Sequence, residues 1–159
     1  MTLRLRKIIS GGQTGADRGG LDAAMMLGIE TGGTAPLDYA AEDIMPERYR
    51  RLLSESVSGY LSRTRQNVLD ADATIIFTFR YLTGGSKLTA QFCLQLGKPH
   101  LHVSLRNPDQ ARPSISAWLR ETDPAILNVA GNRESKSPGI QVITAHILTE
   151  AIFAARGHS

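Results

Sequence analysis

One stretch near the middle of the chain, residues 73–79, constrains the fold more than any other. It reads Ala-Thr-Ile-Ile-Phe-Thr-Phe, a short and almost unbroken apolar run that is rich in β-branched residues. Strands with this composition are buried on both faces, and such strands belong to parallel sheets that helices cover. The run therefore predicts a central strand of an α/β domain.

Strand-like and helix-like segments alternate along the rest of the chain. Strands are predicted over residues 4–10, from Ile29 to Gly33, and over 73–79, 99–105 and 126–130. Helices are predicted over residues 16–27, 60–69, 88–96, 109–122 and 140–155, with a loop over 34–46 and a short helix after Pro46. Leu61, Arg65 and Val68 are expected to lie on one stripe of the helix over 60–69. This order predicts a Rossmann-like open, mainly parallel sheet with helices on both faces, in a single domain over residues 1–159.

The composition limits the kinds of partner that this protein can be expected to bind. The formal net charge is only +3, the basic residues are not clustered and aromatic residues make up 6% of the chain, so no nucleic-acid partner is expected. The single cysteine, Cys93, excludes an internal disulfide framework. No apolar stretch has the length of a membrane span or of a signal peptide. These features predict a cytoplasmic protein without a membrane partner.

Three polar loops follow three of the predicted strands. They cover residues 10–18, 83–89 and 128–136, and the first two contain glycine pairs. Because the carboxyl ends of parallel strands lie at one edge of a sheet, these loops should meet there. Glycines allow close approach to the backbone, and a helix N-terminus presents free amide groups to anions. The loops therefore predict a site for a small phosphate-bearing ligand.

The candidate binding residues offer amides, hydroxyls, polar groups or charge in these loops. They are Gly11, Gly12, Gln13, Thr14, Gly15, Asp17, Arg18, Gly84, Gly85, Ser86, Lys87, Thr89, Asn128 and Arg133. Lys136 can add a further charge. Asp17 has two open roles, because it can cap its helix or bridge to a neighbouring loop, or it can instead hold a ring N–H of a ligand. Glu42 and Asp43, in the 34–46 loop, can reach over the site.

Other kinds of site fit the sequence poorly. The loop at Gly84 lacks the Lys-Ser/Thr ending of a Walker loop, and the loop at Gly11 lacks the spacing of the dinucleotide fingerprint, so NAD is not expected. His100 and His102 face one side of a predicted strand without further ligands, so no metal site is assigned. Cys93 is predicted to be a small core residue. No catalytic constellation can be assembled, and no catalytic residue is assigned.

Several motifs together resemble the putative molybdenum carrier family, over nearly the whole chain. They are Ser10-Gly11-Gly12-Gln13-Thr14-Gly15-Ala16-Asp17-Arg18 with Leu21-Asp22, Ala41-Glu42-Asp43, Arg63-Thr64-Arg65-Gln66-Asn67-Val68, Gly84-Gly85 with Leu88-Thr89, Gly97-Lys98-Pro99, and Asn128-Val129-Ala130-Gly131 with Arg133-Glu134-Ser135. One departure is Asn132, where that family usually has proline.

The resemblance implies a Rossmann-like fold related to the lysine-decarboxylase-like, or LOG, proteins. It also implies binding of molybdenum cofactor (molybdopterin), a pterin with a phosphate arm and an oxo-molybdenum group, and assembly into homo-oligomers. The leading expectation is a non-catalytic carrier. The alternatives are a nucleotide-binding sensor and a LOG-like phosphoribohydrolase of nucleoside monophosphates. The LOG motif carries a glutamate that has no match after Gly84-Gly85 here, which counts against the hydrolase.

Overall fold

A computed structural model describes residues 2–56 and 59–157. The strands are β1 (Lys7–Ile9), β2 (Glu30–Gly32), β3 (Thr34–Ala35), β4 (Ser54–Glu55), β5 (Ala73–Thr78), β6 (His100–Ser104) and β7 (Ile126–Gly131). The helices are α1 (Ala16–Leu27), α2 (Glu47–Arg50), α3 (Tyr60–Asp70), α4 (Gly84–Gln95), α5 (Pro108–Thr122) and α6 (Ile140–Ala155), with one 3₁₀ turn at Leu37–Tyr39.

The main sheet has five strands in the order β2-β1-β7-β5-β6, and every pair is parallel. Strand β5 lies between β7 and β6, with Ile75 opposite Val129 on one side and Leu101 on the other. All six residues of β5 are buried. The predicted Rossmann-like α/β fold is therefore confirmed, and residues 73–79 do supply an inner strand.

Helices cover both faces of this sheet. Helices α1, α5 and α6 pack together over the face that carries Ile75 and Phe77, and this side forms the main apolar core. Helices α3 and α4 pack on each other over the opposite face, where Thr74, Thr78 and Asn128 are buried. This second face therefore contains buried polar side chains, and Thr78 lies at its carboxyl end.

Two predicted elements differ in detail from the structure. Helix α4 begins at Gly84 instead of Leu88, so the second glycine pair forms its first turn. Helix α3 buries Arg63, Thr64 and Asn67 together with Val68, whereas Leu61 is 61% exposed and Arg65 is exposed. The buried face is therefore not the stripe of Leu61, Arg65 and Val68, because this helix covers a polar face of the sheet.

The segment predicted as a loop over 34–46 contains more structure than expected. Its first residues form β3, which pairs in parallel with β4 as a separate two-stranded sheet. A small second core of Leu21, Ala35, Met45, Tyr49 and Leu53 packs the segment against α1. The Tyr49 hydroxyl donates to Asp22 Oδ1 at 2.8 Å. This core fixes residues 34–56 beside the carboxyl edge of the sheet.

Within the described residues, no helix has both the length and the apolar character that crossing a bilayer requires.

Candidate functional site

A polar cleft of about 80 Å³ opens at the carboxyl edge of β5 and β7. Its lining comprises Gln13, Asp17, Arg63, Thr64, Thr83, Gly84, Gly85, Ser86, Thr89, Ala130, Gly131, Asn132, Arg133 and Lys136. The ends of the two strands lie close together here, since the Asn132 N–H donates to the Phe77 carbonyl at 3.0 Å. Since a water molecule requires roughly 10–15 Å³ by this measure, the cleft has room for a group larger than water.

The first turn of α4 forms one wall of the cleft and offers two amide donors. The Ser86 hydroxyl accepts from the Thr83 N–H at 2.9 Å and donates to the Thr83 carbonyl at 2.7 Å. The Ser86 and Lys87 N–H groups also donate to that carbonyl. The N–H groups of Gly84 and Gly85 donate to no acceptor in the described chain. Two directed amides at a positive helix end are suited to an anion.

Gly84 leaves the cleft open at this wall. Its φ is +48°, and a Cβ built on it would meet no atom within 4 Å, so the backbone here faces empty space. A ligand can therefore approach the amides closely.

A buried ion pair between Arg63 and Asp17 forms the floor. Arg63 Nη1 lies 3.3 Å from Asp17 Oδ2, and the two side chains are only 8% and 6% exposed. Burial raises the pKa of Asp17, while the charge of Arg63 opposes that rise. Because Asp17 also accepts from the Gln13 N–H at 3.2 Å, it connects the first loop to Arg63 of α3.

Arg63 and Thr64 line the cleft but were missed as candidate site residues. Both lie on the buried face of α3, where apolar periodicity gives no signal. The Arg-Thr-x-x-Asn-Val match was the one feature of the sequence that marked them.

Two cations at the rim are available to a ligand. Arg133 and Lys136 follow β7, both are exposed, and neither side chain makes a hydrogen bond or ion pair within the described part of the protein. Arg63 offsets the charge of Asp17, so these two side chains add positive charge at the rim, where the charge of Arg133 also acts on the Glu42 carboxylate.

A small polar chamber of about 10 Å³ adjoins the floor. It shares Asp17, Arg63 and Thr89 with the cleft and adds Gly11 and Asn128. Asn128 lies within β7 and donates to Thr74 Oγ1 at 3.3 Å. The chamber is the size of about one water molecule, so the structure places Asn128 behind the cleft and not on its surface.

The glycines of the first loop serve contacts within the protein. A Cβ on Gly11 would lie 1.7 Å from Arg63 Nη1, and one on Gly12 would lie 2.5 Å from Leu53 Cδ1. Gly15 has a φ of +86°, and its Cβ would lie 2.3 Å from the Asn132 carbonyl oxygen. None of the three lines the cleft. They allow the first loop to pack against its neighbours.

Arg18 and Lys87 also lie outside the cleft lining. Arg18 is buried, and its guanidinium donates to both carboxylate oxygens of Asp43, at 2.7 and 2.6 Å, and to the Gly12 carbonyl at 3.0 Å. The hydrogen bonds from Arg18 hold the pKa of Asp43 below its usual value. Lys87 is exposed. We therefore leave both cations out of the candidate site.

A polar clasp joins three loops, and it consists of Gln13, Thr14, Glu42 and Ser135. The Glu42 carboxylate accepts from the Thr14 hydroxyl, from the Ser135 N–H at 3.1 Å and from the Ser135 hydroxyl at 2.6 Å. Gln13 Oε1 accepts from the N–H groups of Thr14 and Glu42, at 3.0 and 2.9 Å. Burial alone would raise the pKa of Glu42, but the bonds from Ser135 and Thr14 outweigh it and lower that pKa.

The histidines of β6, His100 and His102, do not line the cleft. His102 Nε2 lies 2.7 Å from Thr78 Oγ1, and burial lowers the pKa of His102 with a smaller contribution from His100. Across residues 2–56 and 59–157, no three His, Cys, Asp or Glu side chains come together as ligands for an ion.

Comparisons with known proteins agree with this geometry. Residues 8–152 match the model of the "Circularly permutated YpsA SLOG family". A crystal structure of "putative molybdenum carrier protein" from Syntrophus aciditrophicus SB superposes with a TM-score of 0.89 at 40% sequence identity. The superposition covers 96% of this chain and 98% of that one. No match was found among curated proteins.

Proposed function

The chain belongs to the circularly permutated YpsA SLOG family, and from that membership and the cleft we propose that it binds and carries a small phosphate-bearing molecule. One observation carries the proposal. Gly84 and Gly85, whose N–H groups donate to no acceptor in the described chain, line the same cleft as Arg133 and Lys136. Backbone amides together with uncommitted cations are the usual protein environment for a phosphate group.

We take molybdenum cofactor as the cargo. The Syntrophus structure bears the name of a molybdenum carrier, and that protein is similar to this chain over nearly its whole length. The fit rests on the phosphate arm of the cofactor, because the cleft has the size and the donors for such a group. Gly84, Gly85, Arg133 and Lys136 would hold the arm, and the Arg63–Asp17 pair would keep the floor rigid.

A carrier needs no group that moves a proton or attacks a bond, so the proposal gives no residue a catalytic role. Homo-oligomer formation and a cytoplasmic location stay predictions.

The proposal is tested by loading and retention. The purified protein would be mixed with cofactor released from a molybdoenzyme and passed through a desalting column, and retained pterin would be read by fluorescence after oxidation. We expect stoichiometric retention and protection of the cofactor from oxidation.

Two lysine variants give a matched comparison for this test. Lys136→Met removes a cation that lines the cleft, and Lys87→Met removes an exposed cation that does not. Losing one charge-assisted contact should weaken retention about fivefold or more in Lys136→Met, and Lys87→Met should behave as the unmodified protein. Equal retention by the two variants, or no retention by the unmodified protein, would contradict the proposal.

A further inference from the structure

A second, larger cavity lies beside the cleft, on the side of residues 34–46. Its volume is about 270 Å³, and the described residues that line it are Gln13, Pro36, Leu37, Ala40, Ala41, Glu42, Gly59 and Arg133. Two of these residues, Gln13 and Arg133, also line the cleft, so the two hollows share a boundary. We propose that this second cavity holds the planar ring system of the ligand whose phosphate group lies in the cleft. The inference rests on the function proposed above.

The wall of the second cavity has the chemistry that an uncharged ring requires. Pro36, Leu37, Ala40 and Ala41 contribute an apolar surface, and Leu37 is 47% exposed. An exposed leucine beside a polar cleft has apolar surface that a ligand can cover. Cavities of about 300–1,000 Å³ that combine apolar walls with a few directed polar groups are typical small-molecule sites, and the two hollows together reach that range.

Gln13 offers a polar contact at the boundary between the two hollows. Its carboxamide oxygen is fixed by two donors, the N–H groups of Thr14 and Glu42. This arrangement settles which end of the amide is the oxygen. The carboxamide nitrogen donates to no acceptor in the described chain and is therefore available to a ring carbonyl, a ring nitrogen or an ester oxygen.

Arg133 is the second residue at the boundary. Its guanidinium has a face that can cover a ring and an edge that can donate to phosphate oxygens. A ligand that places its ring and its phosphate on either side of this residue would use both features. Inorganic phosphate would use only the second.

The apolar wall is held in place before any ligand binds. Asp38 and Tyr39 have φ values of +58° and +53°, in the left-handed region that is costly for a side chain as large as that of tyrosine. The strained turn is held on one side by the Asp38 N–H, which donates to Glu55 Oε2 at 2.5 Å. It is held on the other side by Glu42, through the clasp. These contacts thus maintain a preformed wall, which reduces the entropic cost of binding.

The geometry therefore indicates the chemical class of the ligand, which is a phosphate monoester of an uncharged fused-ring heterocycle. Pterins and purines share that chemistry. Calorimetric titrations with neopterin monophosphate, with AMP and with inorganic phosphate distinguish the two ring sources from an anion site alone. We expect at least one ring monophosphate to bind about tenfold or more tightly than inorganic phosphate. The tighter of the two identifies the ring class.

A leucine pair supplies the matched variants. Leu37→Asn makes the cavity wall polar without adding charge, and Leu94→Asn makes the same change at a leucine of α4 that is 73% exposed and lies outside both hollows. Leu37→Asn should remove most of the advantage of the ring monophosphate and leave inorganic phosphate binding unchanged. Leu94→Asn should alter neither.

The outcomes separate this inference from the function on which it rests. If ring monophosphates bind no better than inorganic phosphate, or if Leu37→Asn keeps their advantage, the ring site is wrong while anion binding in the cleft stands. If no probe binds, or if Lys136→Met leaves every affinity unchanged, the proposed function itself fails.

Discussion

Burial decides what each arginine of this protein can do. Arg63 and Arg18 are almost fully buried, and each is paired with a carboxylate, Asp17 in the first case and Asp43 in the second. A buried charge must be paired, so these two guanidinium groups hold loops together. Arg133 is exposed and has no such partner among the described side chains, and it is the arginine best placed to meet a ligand.

Replacing Arg18 tests this division. Arg18→Met should lower the free energy of unfolding by about 2 kcal/mol, because it removes a bidentate pair and a bond to the Gly12 carbonyl. The affinity for inorganic phosphate should not change. Urea unfolding and calorimetry measure the two quantities. The control is Arg4→Met. Arg4 is 66% exposed and pairs with Asp123, so its loss should lower the free energy of unfolding by about 1 kcal/mol or less. If Arg18→Met kept normal stability but bound phosphate more weakly, Arg18 would belong to the binding site.

Gly15 offers a second test at the scale of single residues. Gly15→Ala places a Cβ 2.3 Å from the Asn132 carbonyl oxygen at a φ of +86°. Gly28→Ala imposes a similar left-handed strain, at a φ of +67°, in open space. We expect a loss of about 3 kcal/mol for Gly15→Ala and about 1 kcal/mol for Gly28→Ala, measured by urea unfolding. Equal losses would show that backbone strain alone explains Gly15 and that the close contact with the last loop is unimportant.

At the scale of elements, the sequence predicted those features that depend on local pattern. The buried run of β5 and the alternation of strands and helices were enough for the fold. The start of α4 was placed too late, because Gly84 and Gly85 have poor helix propensity and the capping contacts of Ser86 override it. The buried face of α3 is polar, so hydrophobic periodicity could not find it.

The sequence predicted where in the fold the candidate site lies, but it identified only some of the residues that line it. Its place followed from the rule that ligands bind at the carboxyl edge of parallel strands. The separation of ligand-facing glycines from packing glycines depends on contacts such as that between Gly15 and Asn132, which lie far apart in the chain. The clasp likewise joins Glu42 to Ser135 across 93 residues, a pairing that no spacing rule supplies.

The clasp predicts a pH dependence. Hydrogen bonds lower the pKa of Glu42 in the folded protein, so its stabilising contribution is present above the ordinary glutamate pKa and is lost as the pH falls through the lowered value. Glu42→Gln should reduce the melting temperature at pH 7 and flatten its fall between about pH 5 and pH 3. Thermal unfolding over this range measures both effects. Glu121→Gln, at an exposed position of α5, makes the same charge change and should leave the profile unaltered. A profile for Glu42→Gln that parallels that of the unmodified protein would rule the clasp out as a source of stability.

In the molecule as a whole, the polar cleft and the polar clasp lie together at the carboxyl edge of the sheet. The main apolar core lies under α1, α5 and α6, and it supports β5 and β7 from the opposite face. The second core around Tyr49 fixes residues 34–56, and its Leu53 and Met45 lie against Gly12 of the first loop. These two apolar clusters hold the strands and loops around the cleft in place, so the cleft should be preformed in the absence of a ligand.

Phosphate binding at the first turn of α4 should be visible in the amide NMR spectrum. In a ¹H–¹⁵N titration with inorganic phosphate, the Gly84 and Gly85 amides should show the largest saturable shifts. Gly28 and Gly97 are open glycines at other helix ends, and their amides should stay in place. Saturable shifts that leave Gly84 and Gly85 unmoved, or a titration without any saturable shift, would show that phosphate does not bind at this turn.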